Sequence, residues 1–345
     1  MLLQRSGEHP LDVILPQRYS GSAPKSYRYS HVLDTSANAS RIRKFTVYQD
    51  EDRNHMNHLV RAFSKPAPNL THLELTAFIP PGEFIPFPNL FGLEFPKLRV
   101  LEVLRVGAWP EVVGANLTRI TIADYFDPQL FKRCIPYSPN LQALKIRDVW
   151  DSREPDLRTW QRIALPPGIR LVIKHSRVCA RILELFSLPR DGHIKIRPSM
   201  NAAPGMPLFS YILPTEVSHL QNLHTLTRLH MKKRPDAGFT LELKFFRLDR
   251  LALEVNVGHP FRTRETVQQH VMSFLAGLHQ AVLGGVEELR MEGLAGSLEP
   301  HAADLQALLK RMPVLTRLIT TDDNEEILRS ALDNLGCRAV VVRVD

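Results

Sequence analysis

A six-residue pattern, apolar-x-x-apolar-x-apolar, recurs along this chain and restricts its fold more than any other feature. It occurs as Ile42-Arg-Lys-Phe45-Thr-Val47, Leu70-Thr-His-Leu73-Glu-Leu75, Leu98-Arg-Val-Leu101-Glu-Val103, Leu117-Thr-Arg-Ile120-Thr-Ile122 and Leu141-Gln-Ala-Leu144-Lys-Ile146. It returns as Leu226-Thr-Arg-Leu229-His-Met231, Leu248-Asp-Arg-Leu251-Ala-Leu253, Val286-Glu-Glu-Leu289-Arg-Met291 and, with a polar last position, Leu315-Thr-Arg-Leu318-Ile-Thr320. The last two apolar positions of a copy alternate with polar ones. Each copy therefore predicts a short strand with one face buried and the other wet.

The first five copies start 28, 28, 19 and 24 residues apart, and Val286 to Leu315 is 29. Such a period belongs to leucine-rich repeats. Between copies the apolar spacing turns helical: Met56, Leu59, Val60, Phe63; Val178, Ile182, Leu185, Phe186; Val267, Val271, Phe274, Leu275, Leu278, Val282; and Ile327, Leu328, Ala331, Leu332, Leu335. Weaker strand patterns occupy Ile169–Ile173, His193–Ile196, Phe239–Leu243 and Ala339–Val342. Five prolines within residues 80–96 predict an extended return, and prolines 198, 204, 207 and 214 mark an insertion at 198–216. The expected fold class is α/β: one irregular leucine-rich-repeat domain over residues 1–345, with about a dozen units. Right-handed crossovers would stack it into a solenoid, a curved parallel sheet on the concave side and helices and loops on the convex side.

The 345 residues are 44% apolar and 23% charged, the balance of a globular protein. No apolar run approaches the roughly 20 residues of a membrane span. Arg5, Glu8 and His9 interrupt any signal core. Cys134, Cys179 and Cys337 are too far apart for a CxxC site or a disulfide framework. A cytoplasmic or nuclear location is expected. The net charge of +8 divides as 22 basic and 17 acidic side chains in residues 1–172 against 22 and 19 in 173–345, so folding must create any charged site.

Phosphate loops, zincin helices and hydrolase elbows all lack their minimal residues here, so no enzyme, cofactor or metal site is expected. His55 and His58 share a helical face without a cysteine or carboxylate partner and predict a solvated surface. Phe45, Phe63, Phe131, Trp160, Phe186 and Phe274 fall on apolar stripes and predict core. Trp109 and Trp150 follow strands and predict caps on that core.

One constellation suggests binding. Side chains alternating with the buried pair must share the open face of the sheet. In the four central units these are Ala143, Lys145, Arg147; Arg170, Val172, Lys174; His193, Lys195, Arg197; and Arg228, His230, Lys232. Eight of the twelve are Lys or Arg and none is acidic. Glu74 and Glu102 are expected before this stretch, and Glu254, Glu288 and Glu292 after it. A basic concave arc of this kind would take an acidic or phosphorylated protein partner, provided that neither weak central strand slips by one residue. Nucleic acid is the alternative ligand, but the central strands offer almost no aromatic side chains for stacking on bases.

Arg5-Ser6-Gly7 with Pro10-Leu11-Asp12-Val13, Leu90-Phe91-Gly92 through Leu101, Trp109, Asn116-Leu117-Thr118, Leu183 to Pro189 and Leu213-Pro214 through Leu229 together resemble the fungal, mushroom-type F-box and leucine-rich-repeat proteins. The resemblance implies the substrate-recognition arm of a cullin-RING ubiquitin ligase, whose F-box docks a Skp-type adaptor. Residues 1–40 lack the helical run of that box, so adaptor docking is expected only with an F-box upstream of Met1.

Overall fold

Each copy of the six-residue pattern leads into a β-strand in the computed structural model. The model describes residues 9–15, 38–49, 60–61, 63–77, 83–124, 127–149, 160–176, 178–198, 212–234, 239–259, 280–293, 302–321 and 325–344. Eight copies bury all three key positions: the second is fully buried throughout, and none of the first and third exceeds 5% exposure. The ninth departs, since Leu248 is 68% exposed. The chain forms two compact units, Met1–Asp156 and Leu157–Asp345.

The first unit carries β1 (Leu11–Leu15), β2 (Ile42–Gln49), β3 (His72–Ala77), β4 (Val100–Leu104), β5 (Arg119–Ala123) and β6 (Ala143–Arg147), each parallel to the next. The connections hold α1 (Glu111–Gly114) and α2 (Pro128–Cys134). Asp127 caps α2 by accepting the Gln129 N–H at 2.9 Å, and Pro128 gives up no helical hydrogen bond at the first position. Residues 83–96 contain a 3-10 turn at Leu90–Leu93 and no α-helix among the described residues, as the prolines require.

Two devices set the start of each copy, and the second also ties it to the copy before. The first apolar residue closes a turn onto the carbonyl three residues before it: Leu70 to Ala67, Leu98 to Phe95, Leu117 to Gly114 and Leu141 to Ser138, all at 3.0–3.1 Å. The asparagine just ahead of it reaches back a whole copy. Asn69 donates to Ser40 O at 2.7 Å, Asn116 to Pro96 O at 2.9 Å and Asn140 to Ala115 O at 3.3 Å. These amides satisfy carbonyls that the parallel ladder has not yet reached. At the other end of the strands, Arg105, Asp124 and Asp148 follow β4, β5 and β6 with φ of 53°, 66° and 56°, so each exit turns through the left-handed region.

The core of this unit is aromatic at one end. Phe45 meets Phe63 and Phe91 edge to face, with centroids 4.6 and 5.1 Å away. Trp109 is buried 5.5 Å from Phe131, as expected of a core cap.

In the second unit, β7 (Ile163–Ala164) pairs with β9 (Phe186–Ser187) as a small separate ladder. The main sheet contains β8 (Arg170–Ser176), β10 (His193–Pro198), β11 (Arg228–Arg234), β12 (Phe239–Arg247), β13 (Arg250–His259), β14 (Glu288–Glu292), β15 (Arg317–Thr320) and β16 (Val340–Arg343). Helices α3 (Cys179–Glu184), α4 (Gln280–Leu283), α5 (Ala302–Lys310) and α6 (Glu325–Asn334) lie between strands in the chain. The sheet order is β8-β10-β13-β12-β11-β14-β15-β16. All of its neighbours are parallel except β11–β12 and β12–β13.

The expected uninterrupted succession of parallel strands is therefore corrected in the second unit. After β11 the chain doubles back as antiparallel β12, turns on Leu248–Asp249, and returns as β13 into the position beside β10. Leu248 sits in that turn, which explains why its copy of the pattern does not bury it. Met56, Leu59, Val267, Val271, Phe274, Leu275, Leu278, Trp150, His55, His58, Arg5–Gly7 and most of the 198–216 insertion lie outside the described residues. No helix among the described residues is long and apolar enough to cross a membrane.

Candidate functional site

The ten basic-arc residues divide between the two units. Lys145 and Arg147 lie on β6 of the first, and the other eight on the second. On β6, Lys145 stands opposite Thr121, at the end of a row that runs Thr46, Glu74, Glu102, Thr121 across the sheet. Arg147 Nε is 4.0 Å from Asp148 Oδ2.

In the second unit the two weak strands keep their expected register. His193 pairs with Arg170, Lys195 with Val172 and Arg197 with Lys174, while Leu171, Ile173, Ile194 and Ile196 are fully buried. Arg170, Lys174, His193, Lys195 and Arg197 thus share the face opposite the core.

Arg228, His230 and Lys232 do not adjoin them. β13 and β12 intervene, and they bring acids that the sequence reading placed beyond the arc or left out. One row across the sheet reads Val172, Lys195, Glu254, Lys244, His230, Arg290; the next reads Asn256, Glu242, Lys232, Glu292. The all-basic centre is corrected to alternating signs. Lys195 Nζ lies 2.5 Å from Glu254 Oε1, Lys244 Nζ 3.1 Å from Glu242 Oε2, and Lys232 Nζ 2.9 Å from Glu292 Oε2. Burial explains the pairing, because Glu242 and Glu254 are only 3% and 5% exposed and a carboxylate in that setting needs a cation. The two period-2 runs, Phe239–Phe245 and Leu251–Val257, are visible in the sequence, but the link between them, Phe246–Arg250, carries no glycine or asparagine that would mark a hairpin.

The three basic side chains of β11 are consequently engaged within the unit. Glu292 gathers Lys232, His230 Nε2 at 3.0 Å and Arg290 Nε at 2.6 Å. Arg228 donates to Leu248 O at 2.6 Å and Asp249 Oδ1 at 2.8 Å, and lies 5.4 Å from the centre of the Phe246 ring. Burial pushes the Glu292 carboxyl up, but hydrogen bonds from Lys232 and His230 overcome it and hold the group at about 2. Burial pushes the Glu254 carboxyl up as well, and hydrogen bonds from Lys195 and Asn256 leave it below its usual range.

The β8–β10 side is different. Arg170, Lys174, Lys195 and Arg197 stand on neighbouring strands of one face, and Glu254, next along the row from Lys195, is engaged by that lysine. The Arg197 Nε is buried without a hydrogen-bond partner. His193 adds no charge near neutral pH, because burial and the positive charge of Arg170 hold its imidazole at about 4.

These shifts set an acid response with a definite sign. Between pH 6.5 and about 4 the unfolded chain binds a proton at His193 that the folded unit does not, so stability falls as pH drops through that window. The stabilisation from Glu292 is complete above its ordinary 4.5 and is lost as pH falls toward about 2. Urea titrations from pH 7 to pH 3 should show stability falling throughout, with Glu292→Gln flattening the part below 4.5. A stability that rises on acidification would contradict these environments.

No family model matches the chain, and no curated protein matches it.

Proposed function

We propose that this chain is a leucine-rich-repeat recognition protein that captures an acidic or phosphorylated protein segment on the β8–β10 face of its second unit. The observation that carries the proposal is the buried Nε of Arg197, which has no hydrogen-bond partner among the described residues and lies on the same face as Arg170. A buried guanidinium N–H without an acceptor is costly, and a carboxylate or phosphate oxygen from a partner would supply one. Arg170 and Arg197 make the directional contacts in this reading, while Lys195 is committed to Glu254 and holds the face in place. The repeat type is supported by the recurring buried triplets, the parallel ladders and the asparagine links. On the resemblance to F-box and leucine-rich-repeat proteins, such a face would be the substrate-binding arm of a ligase adaptor.

The test is fluorescence anisotropy with a labelled phosphothreonine peptide rich in Glu, its unphosphorylated Gln-substituted counterpart, and single-stranded DNA of similar charge. The expected result is binding of the acidic phosphopeptide that weakens as salt rises, with little binding of the neutral peptide. Equal binding of both peptides would refute the reading, and tighter binding of DNA would favour a nucleic-acid function on the same face.

A further inference from the structure

A second feature lies at the N-terminal ends of β10 and β13. The turn before β10, closed by the Gly192 N–H on Pro189 O at 3.0 Å, and the Leu248–Asp249 turn border a cleft of about 360 Å³. Three arginines line it, Arg190, Arg247 and Arg250, together with Asp191 and Asp249. We propose that this cleft is a phosphomonoester-binding site.

Charge comes first. Asp249 is 96% exposed and already accepts from Arg228 at 2.8 Å, which leaves Asp191 as the one acid set against three arginines. Three positive charges less one give +2, the complement of a phosphomonoester, which carries −1.5 to −2 near neutral pH. Donor supply comes second. Arg247 Nη1 donates to Arg190 O at 3.1 Å, which fixes one wall, while the side chains of Arg190 and Arg250 have no partner among the described residues. Two guanidinium forks are therefore available to oxygens arranged around a tetrahedral centre.

The rim is held for this purpose by contacts that cost the cleft nothing. Arg228 grips the Leu248 carbonyl, and the Leu248 N–H donates to Thr227 Oγ1 at 3.1 Å. Leu248 itself has φ of 53° where a two-residue hairpin would ordinarily use glycine, and its side chain projects into solvent beside the arginines. That exposed apolar lip suits the organic carrier of a phosphate. The site is independent of the β8–β10 face, because it uses none of the side chains assigned there.

Calorimetry on the full chain with phenyl phosphate and inorganic phosphate separates the two sites. Arg190→Gln with Arg250→Gln removes exposed side chains, so the fold should persist, and phosphate affinity should drop at least about tenfold, as loss of charge-assisted hydrogen bonds entails. Arg170→Gln with Arg197→Gln should leave in place the phosphate binding that Arg190→Gln with Arg250→Gln removes, even if it abolishes peptide capture. Phenyl phosphate should bind more tightly than inorganic phosphate, and Leu248→Gly should erase that difference. Absence of saturable binding, indifference to the Arg190 and Arg250 changes, or a loss produced only by the Arg170 and Arg197 changes would overturn the proposal.

Discussion

Phe45→Ala is expected to destabilise the protein by about 3–5 kcal/mol, the range for deleting a large aromatic side chain from a packed interior. Phe45 is fully buried, is the second apolar residue of the first repeat copy, and touches Phe63 and Phe91 edge to face. Those two rings come from different connections and can close on the void only by moving backbone. Phe91 already sits at φ 54°, in the left-handed region, which leaves it little freedom to follow. Urea denaturation gives the number directly. A loss below about 1 kcal/mol would mean that the site collapses without cost, contrary to close packing.

Lys195→Met should cost a comparable amount, about 3–5 kcal/mol, because it leaves a carboxylate buried without its cation. Lys195 and Glu254 have side chains only 14% and 7% exposed and a 2.5 Å separation. Asn256 Nδ2 also donates to Glu254 at 2.9 Å, but a neutral amide cannot balance the charge. Glu254→Leu added to Lys195→Met should recover most of the loss, since replacing both partners by apolar groups removes the unbalanced charge. If the double variant is as unstable as the single one, the damage comes from packing rather than electrostatics.

Sequence periodicity carried the strands and the core further than it carried their order. The buried triplets were legible because burial repeats with the chain, and a hydrophobic face must face inward wherever the strand lies in the sheet. Register between β8 and β10 was legible for the same reason. The positions of β12 and β13 were not, because a pattern of period two is the same in a parallel and an antiparallel strand. The deciding element is the turn, and Leu248–Asp249 has neither the glycine nor the asparagine that marks a tight hairpin. Reading Leu248 as the start of another repeat placed β13 beyond β11, and with it Glu254 beyond the arc. The asparagine links could have been read: Asn69, Asn116 and Asn140 each immediately precede the first leucine of a copy. The left-handed exits at Arg105, Asp124 and Asp148 could not, since they depend on how each connection leaves the sheet.

The division of the ten basic residues into engaged and available sets is what one comparison tests most directly. In the anisotropy titration with the acidic phosphopeptide, Arg170→Glu with Arg197→Glu is set against Arg228→Glu with Lys232→Glu. The first pair should weaken capture at least about tenfold and flatten its salt dependence, as reversal of charges in direct contact requires. The second pair, whose side chains already serve Asp249 and Glu292, should change capture by less than about threefold once circular dichroism shows that the fold persists. Equal losses from the two pairs, or a greater loss from the second, would contradict the assignment of the site to β8 and β10.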